Sequence, residues 1–135
     1  MPQPDFLALA HAHADELVDF VRRLMQTPSL PGHEGEVARL VENEMHRLGY
    51  DKVTTDRVGN VVGVMHGGEA PALLFNGHMD HVDPGDLAGW PYPPYSATIS
   101  EERLWGRAAV DMKGALGAML YAGGLPRRHN LPLPG

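Results

Sequence analysis

LLFNGHMDHVDPGD, residues 73–86, begins as an apolar run and ends as a cluster of metal-binding side chains. Ala72–Asn76 is continuously apolar up to Asn76, as expected of a central strand covered on both faces. Beyond Asn76-Gly77, the residues His78, Asp80, His81, Asp83 and Asp86 follow in quick succession. Open α/β sheets place their active sites at the carboxyl ends of such strands. His78 and Asp80 are two apart, so in extended chain their side chains share one face. A neutral imidazole is a good zinc ligand, and carboxylates suit hard or borderline dications. Asp80 has two roles open to it. It can ligate directly, or it can accept a hydrogen bond from the second imidazole nitrogen and so fix the tautomer.

The flanking sequence alternates helix and strand. Leu17, Val18, Phe20, Val21, Leu24 and Met25 recur at helical spacing, which predicts a helix within Phe6–Met25, stopped by Thr27-Pro28. Val37, Val41, Met45 and Leu48 predict a second helix over Glu34–Leu48, with Gly49 as a left-handed cap. Lys52–Asp56 and Val61–His66 read as strands joined by a turn at Val58-Gly59-Asn60. Ser96–Ser100 and Arg103–Gly106 read as a hairpin turning at Glu101-Glu102. Asp111–Ala122 reads as a helix. Gly114 and Gly117 inside it imply close packing, and Gly123-Gly124 and Pro126 end it. The fold class is therefore α/β.

Composition narrows the function. With 135 residues and 43% apolar content the chain can bury a core, and a net charge of -6 argues against a nucleic-acid surface. There is no cysteine, which removes disulfides and thiolate chemistry. The N-terminus lacks the basic start and apolar core of a secretory signal, and no run reaches membrane-spanning length. A soluble cytoplasmic protein is expected.

The second chemical motif is LWGRAAVDMKGALGAMLYA, which sets Asp111 just before a glycine-containing helix. By itself an aspartate there reads as an N-cap. Taken in order, however, GHMD (77–80) and GRAAVDMKG (106–114) resemble the M20 family of zinc-dependent metallopeptidases and amidohydrolases. TPSLPGHEGEVARLV is similar to the N-terminal helical segment of that family, and DRVGNVVG to its strand-turn-strand.

The resemblance implies a zinc-peptidase-like mixed sheet flanked by helices, incomplete here, with residues 1–135 as the N-terminal portion of a catalytic domain. It also implies two zinc ions, with cobalt or manganese as alternatives. His78 would ligate one metal, Asp111 would bridge both, and Asp80 would orient His78. The activity implied is hydrolysis of a peptide or N-acyl amide bond by metal-activated water. The glutamate base, the remaining ligands and the lid or dimerisation domain of the family have no counterpart before Gly135. The competing expectation is a non-catalytic scaffold that binds a partner. The substrate class would be a small peptide or N-acyl amino acid, with no nucleic acid or membrane, and self-association through an uncovered sheet edge is expected.

Other residues have simpler readings. Glu101-Glu102 precedes Asp111 and reads as a solvated turn rather than the catalytic pair of the family. His11 and Asp15 share a helix face exposed to solvent. His81 and Asp83 are candidates for lining the site. Lys113 is expected to reach solvent from the first helical turn. Ala108 stands where the family usually has glycine, which permits unusual dihedrals.

Overall fold

The computed structural model describes residues 5–134; residues 1–4, with the start of the N-terminal segment read above, and residue 135 lie outside it. The elements are α1 (Phe6–Ala12), α2 (Ala14–Gln26), α3 (Gly35–Leu48), β1 (Lys52–Thr55), β2 (Val61–Val64), β3 (Thr98–Ser100), β4 (Arg103–Trp105) and α4 (Gly114–Arg128). The single N-terminal helix expected over Phe6–Met25 is two helices that meet at His13, whose φ of -113° and ψ of 9° lie off the helical values. Helix α3 matches the expected span, and Gly49 closes it in the left-handed region at φ 82°.

The core lies between α2, α3 and α4. Phe20 and Leu24 meet Val37, Val41 and Leu48 of α3 and Leu116, Leu120 and Tyr121 of α4. Apolar residues one helical turn apart on each helix supply these faces. Burying each such side chain stabilises the fold by roughly 1.5–3 kcal/mol. Glu44, also buried, accepts from the Tyr121 hydroxyl at 2.8 Å and pairs with Arg47 and Arg23. Burial pushes the Glu44 carboxyl up, but the hydrogen bonds from Arg47 and Tyr121 outweigh this and hold it below its ordinary value.

Helix α4 runs through Gly123-Gly124 and Pro126, where the sequence reading ended it. The glycines are there for approach: a Cβ on Gly124 would sit 2.5 Å from Leu48 Cβ, and one on Gly117 2.4 Å from Val21 Cγ2. Pro126 falls in the last turn, close to where the helix ends anyway.

Both expected hairpins form. β1 pairs antiparallel with β2 from Lys52↔Val64 to Thr55↔Val61, and β3 pairs with β4 from Thr98↔Trp105 to Ser100↔Arg103. Asp56 shapes the first turn by accepting from Val58 N and Asn60 N. Glu101 and Glu102 take φ of 52° and 57° in the second turn, and both are exposed.

The expected central strand is the main departure. Among the described residues the sheets are the two hairpins, and Ala72–Asn76 joins neither. Leu73, Leu74 and Phe75 are exposed, Leu74 by 85%. A strand needs a neighbour for its main-chain N–H and C=O groups. The nearest pairing is the C-terminal tail, where Gly68 N and Ala70 N donate to Leu133 O and Pro134 O at 2.9 Å. The α/β class stands, as helices with small antiparallel sheets. Among the described residues no helix is long and apolar enough to cross a membrane.

Candidate metal centre

His78 and Asp80 leave the apolar run on a segment without ladder partners, and Asp111 comes from a wide turn, Ala109–Lys113, that precedes α4. Asp111 does not serve as an N-cap: the cap position of α4 is Lys113, and among the described residues no main-chain N–H donates to the Asp111 carboxylate, whose backbone is extended at φ -124° and ψ 95°. The turn is entered through Ala108, whose φ of 66° is left-handed. That is the conformation for which glycine is the usual choice at this position. Gly77 lets the two segments close up, because a Cβ there would lie 3.1 Å from Met112 Cε and 2.7 Å from Met119 Cε.

The two segments bring His78 Nε2 to 2.9 Å from Asp111 Oδ1. On the other side of the ring, Nδ1 lies 3.1 Å from Asp80 Oδ1 and 3.1 Å from the Asp80 main-chain carbonyl. His78 is 45% exposed and Asp111 84%, so both are open to a ligand from solvent. The hydrogen bond to Asp111 is the main cause of a raised His78 pKa; burial opposes it, and the Asp80 carbonyl and both carboxylates add to it.

The donor chemistry fits a divalent metal. Both ring nitrogens face oxygens that only accept, whereas a neutral imidazole carries one N–H. With that proton on Nδ1 toward Asp80, the Nε2 lone pair faces a carboxylate. The gap then calls for a cation, either a proton or a metal ion. A carboxylate behind the ring is the usual partner of a metal-binding imidazole. Among the described residues no three His, Cys, Asp or Glu side chains converge on one point. The arrangement is thus a two-donor corner with Asp80 behind it. A cavity of about 190 Å³ adjoins Asp111, lined by Val82, Arg107, Ala108 and Val110 among others.

Other candidates lie elsewhere. His81 is buried and turned away: its Nε2 accepts from Ser29 N at 2.9 Å, and its Nδ1 donates to Val82 O at 2.9 Å. Asp83 accepts from Gly85 N. Glu101 and Glu102 remain in their turn. His11 and Asp15 are exposed, and it is His13 that finds a partner, with its Nε2 2.8 Å from His129 Nε2 and its Nδ1 2.8 Å from Glu16.

Lys113 overturns its expectation. It is fully buried, and Nζ donates to Leu24 O at 2.8 Å and Thr27 O at 2.7 Å. Desolvation lowers its pKa to about 8. Its place between Asp111 and a helix makes solvent the natural expectation. The sequence clue to the contrary was the apolar context on both sides of Met112-Lys113.

Comparison with known proteins bears on the fold and the kinship of the chain. The solved structure of an M20 family metallo-carboxypeptidase, Sso-CP2 from Sulfolobus solfataricus, superposes with a TM-score of 0.75 at 25% identity, over 85% of this chain and 28% of that one. Succinyl-diaminopimelate desuccinylase of Blochmanniella pennsylvanica is 37% identical over 112 residues, 78% of this chain. The uncharacterised protein YgeY of Escherichia coli K12 is 32% identical over 118 residues, 87% of this chain. This chain spans 29% of the length of each of these curated relatives. The fold matches part of an M20 family metallo-carboxypeptidase, and one relative is named a desuccinylase. Residues 74–134, which include the His78–Asp111 corner, match the model of peptidase family M20/M25/M40.

Proposed function

We propose that this chain supplies the N-terminal portion of the catalytic domain of a zinc-dependent hydrolase acting on a peptide or N-acyl amide bond. His78 and Asp111 hold the metal, and Asp80 holds the His78 tautomer. One observation carries the reading: His78 Nε2 and Asp111 Oδ1 stand 2.9 Å apart while Nδ1 is engaged by Asp80. Zinc bound there would supply a water of lowered pKa and a positive charge beside the scissile carbonyl. The residues of the chain do the rest. Asp80 keeps a proton on Nδ1 and so leaves Nε2 free to donate its lone pair. Asp111, largely exposed, offers the second oxygen needed to bridge two cations. The base that accepts the water proton is assigned to a glutamate beyond the motifs described here, with the remaining ligands and the lid domain.

A small N-acyl amino acid is the proposed substrate class, in keeping with the desuccinylase named among the relatives. A cysteine-free chain accords with the cytoplasm, where we place it. The test is zinc titration by calorimetry with an assay of amine release from N-acyl amino acids. Zinc uptake that vanishes in His78→Ala and in Asp111→Ala supports the reading; uptake indifferent to both substitutions refutes it.

One observation favours a second reading, a partner-binding scaffold without catalysis. Leu73, Leu74 and Phe75 are exposed beside an apolar cavity of about 650 Å³ that reaches Met45, Leu116 and Met119. Amide hydrolysis by the zinc-loaded protein would exclude that alternative.

A further inference from the structure

The two ligand segments share an anchor that the chemistry above does not use. Lys113 sits two residues beyond Asp111, and among the described residues its buried ammonium meets no carboxylate at hydrogen-bond distance. It donates instead to Leu24 O and Thr27 O, at the C-terminal end of α2. Leu24 O also accepts from Thr27 N at 3.3 Å, and the carbonyls at a helix C-terminus carry partial negative charge that favours a cation. The Lys113 main-chain N–H also donates to Ala108 O at 2.9 Å, closing the wide turn around Asp111.

The other ligand segment is fastened to the same place. Ser29 Oγ donates to Met79 O at 2.7 Å, and Met79 lies between His78 and Asp80. His81 N donates to Ser29 O at 2.9 Å, and Ser29 N donates back to the His81 ring at 2.9 Å. Ser29 and Lys113 are fully buried, and His81 nearly so. Among the described residues the His78 segment has no sheet ladder of its own to hold it in place.

We propose that residues Leu24–Ser29 form a clamp that sets the separation of His78 and Asp111, with Lys113, Ser29 and His81 as positioning residues. One arm runs through Lys113 to the Asp111 turn, and the other through Ser29 and His81 to the His78 segment. A burial role alone would be served as well by an apolar side chain at 113. Replacing a buried charge by a packed apolar group is often neutral or stabilising. Lysine at that point adds directed bonds to a fixed base, and these hold the ligand geometry before any metal arrives.

The inference rests on the metal-centre reading, and the experiment separates the two. In the metal-free chain, nuclear Overhauser contacts between the His78 ring and the Asp111 side chain report the separation directly. Zinc chloride titration reports its consequence. Lys113→Met should weaken or abolish the contacts and reduce zinc affinity by about tenfold to a hundredfold, the usual cost of losing support behind a ligand. Ser29→Ala should do the same more mildly, and Ser29→Thr, which keeps the hydroxyl, should restore both signals. Tyr121→Phe, destabilising but remote from the site, should leave both unchanged. Contacts and affinity unchanged in Lys113→Met and Ser29→Ala would overturn the clamp while leaving the metal centre intact. Should the wild-type chain take up no zinc, the metal-centre reading fails and the Overhauser contacts alone decide the clamp. Should Lys113→Met not fold, the Ser29→Ala and Ser29→Thr pair decides it.

Discussion

Replacing Asp80 by alanine removes a carboxylate that no ligand role requires, so it isolates what the charge behind His78 contributes. His78 Nδ1 has two acceptors in Asp80, the carboxylate and the main-chain carbonyl, each at 3.1 Å. Asp80→Ala keeps the carbonyl, which can still hold the Nδ1 proton and leave Nε2 free. The loss is then the negative charge that makes the imidazole more basic. Partners behind metal ligands are worth about 10–100-fold in metal affinity. With the carbonyl retained and the carboxylate 35% exposed to screening water, the lower end applies. The expected loss is about tenfold, or ~1.4 kcal/mol. Calorimetric titration with zinc measures it, and Asp80→Asn, which keeps an oxygen but not the charge, should match the alanine variant. Unchanged affinity would refute the contribution of the carboxylate charge behind His78. A loss as large as that of His78→Ala would make Asp80 a ligand.

Four further outcomes follow from the same geometry. Ala108→Gly should stabilise the chain by roughly 0.5–1 kcal/mol in chemical denaturation, since relief of the left-handed strain exceeds the added freedom of the unfolded chain. Tyr121→Phe removes a donor from the buried Glu44 carboxylate and should cost about 1–2 kcal/mol by the same assay. For Glu16, burial pushes the carboxyl up, but hydrogen bonds from His13, Arg47 and Arg128 prevail and hold it at about 2 against an ordinary 4.5. Between those two values the unfolded chain binds the extra proton, so stability should fall as pH falls through this window, and Glu16→Gln should flatten that slope in acid-denaturation curves. Leu74→Glu should lower self-association in sedimentation velocity, because it puts a charge in the exposed apolar run; a wild-type chain that is monodisperse and monomeric at high concentration would contradict this.

Local patterns were legible where local physics determines the structure. Helix α3 and its Gly49 cap, the turns at Val58-Gly59-Asn60 and Glu101-Glu102, and both hairpins follow from hydrophobic period and turn chemistry. The reading failed where a residue answers to a distant partner. Gly123-Gly124 resembles a stop signal, but Gly124 is small because Leu48 lies against it, a contact made across 76 positions of sequence. Lys113 resembles a solvated lysine until α2 supplies two carbonyls for it. The apolar run at Ala72–Asn76 encodes what should pack on it, and no described strand pairs with it. At the site, spacing suggested a common face for His78 and Asp80. Bringing Asp111 within hydrogen-bond distance was a prediction of the paired motifs rather than of any periodicity. His13 and His129, 116 positions apart, carried no local signal of their contact.

The most direct measurement is diffraction at the zinc absorption edge from crystals grown with zinc. The account predicts an anomalous peak about 2.0–2.2 Å from both His78 Nε2 and an Asp111 carboxylate oxygen, with Asp80 behind the ring. Zinc bound at other residues, or His78 and Asp111 facing apart with no peak between them, would contradict it.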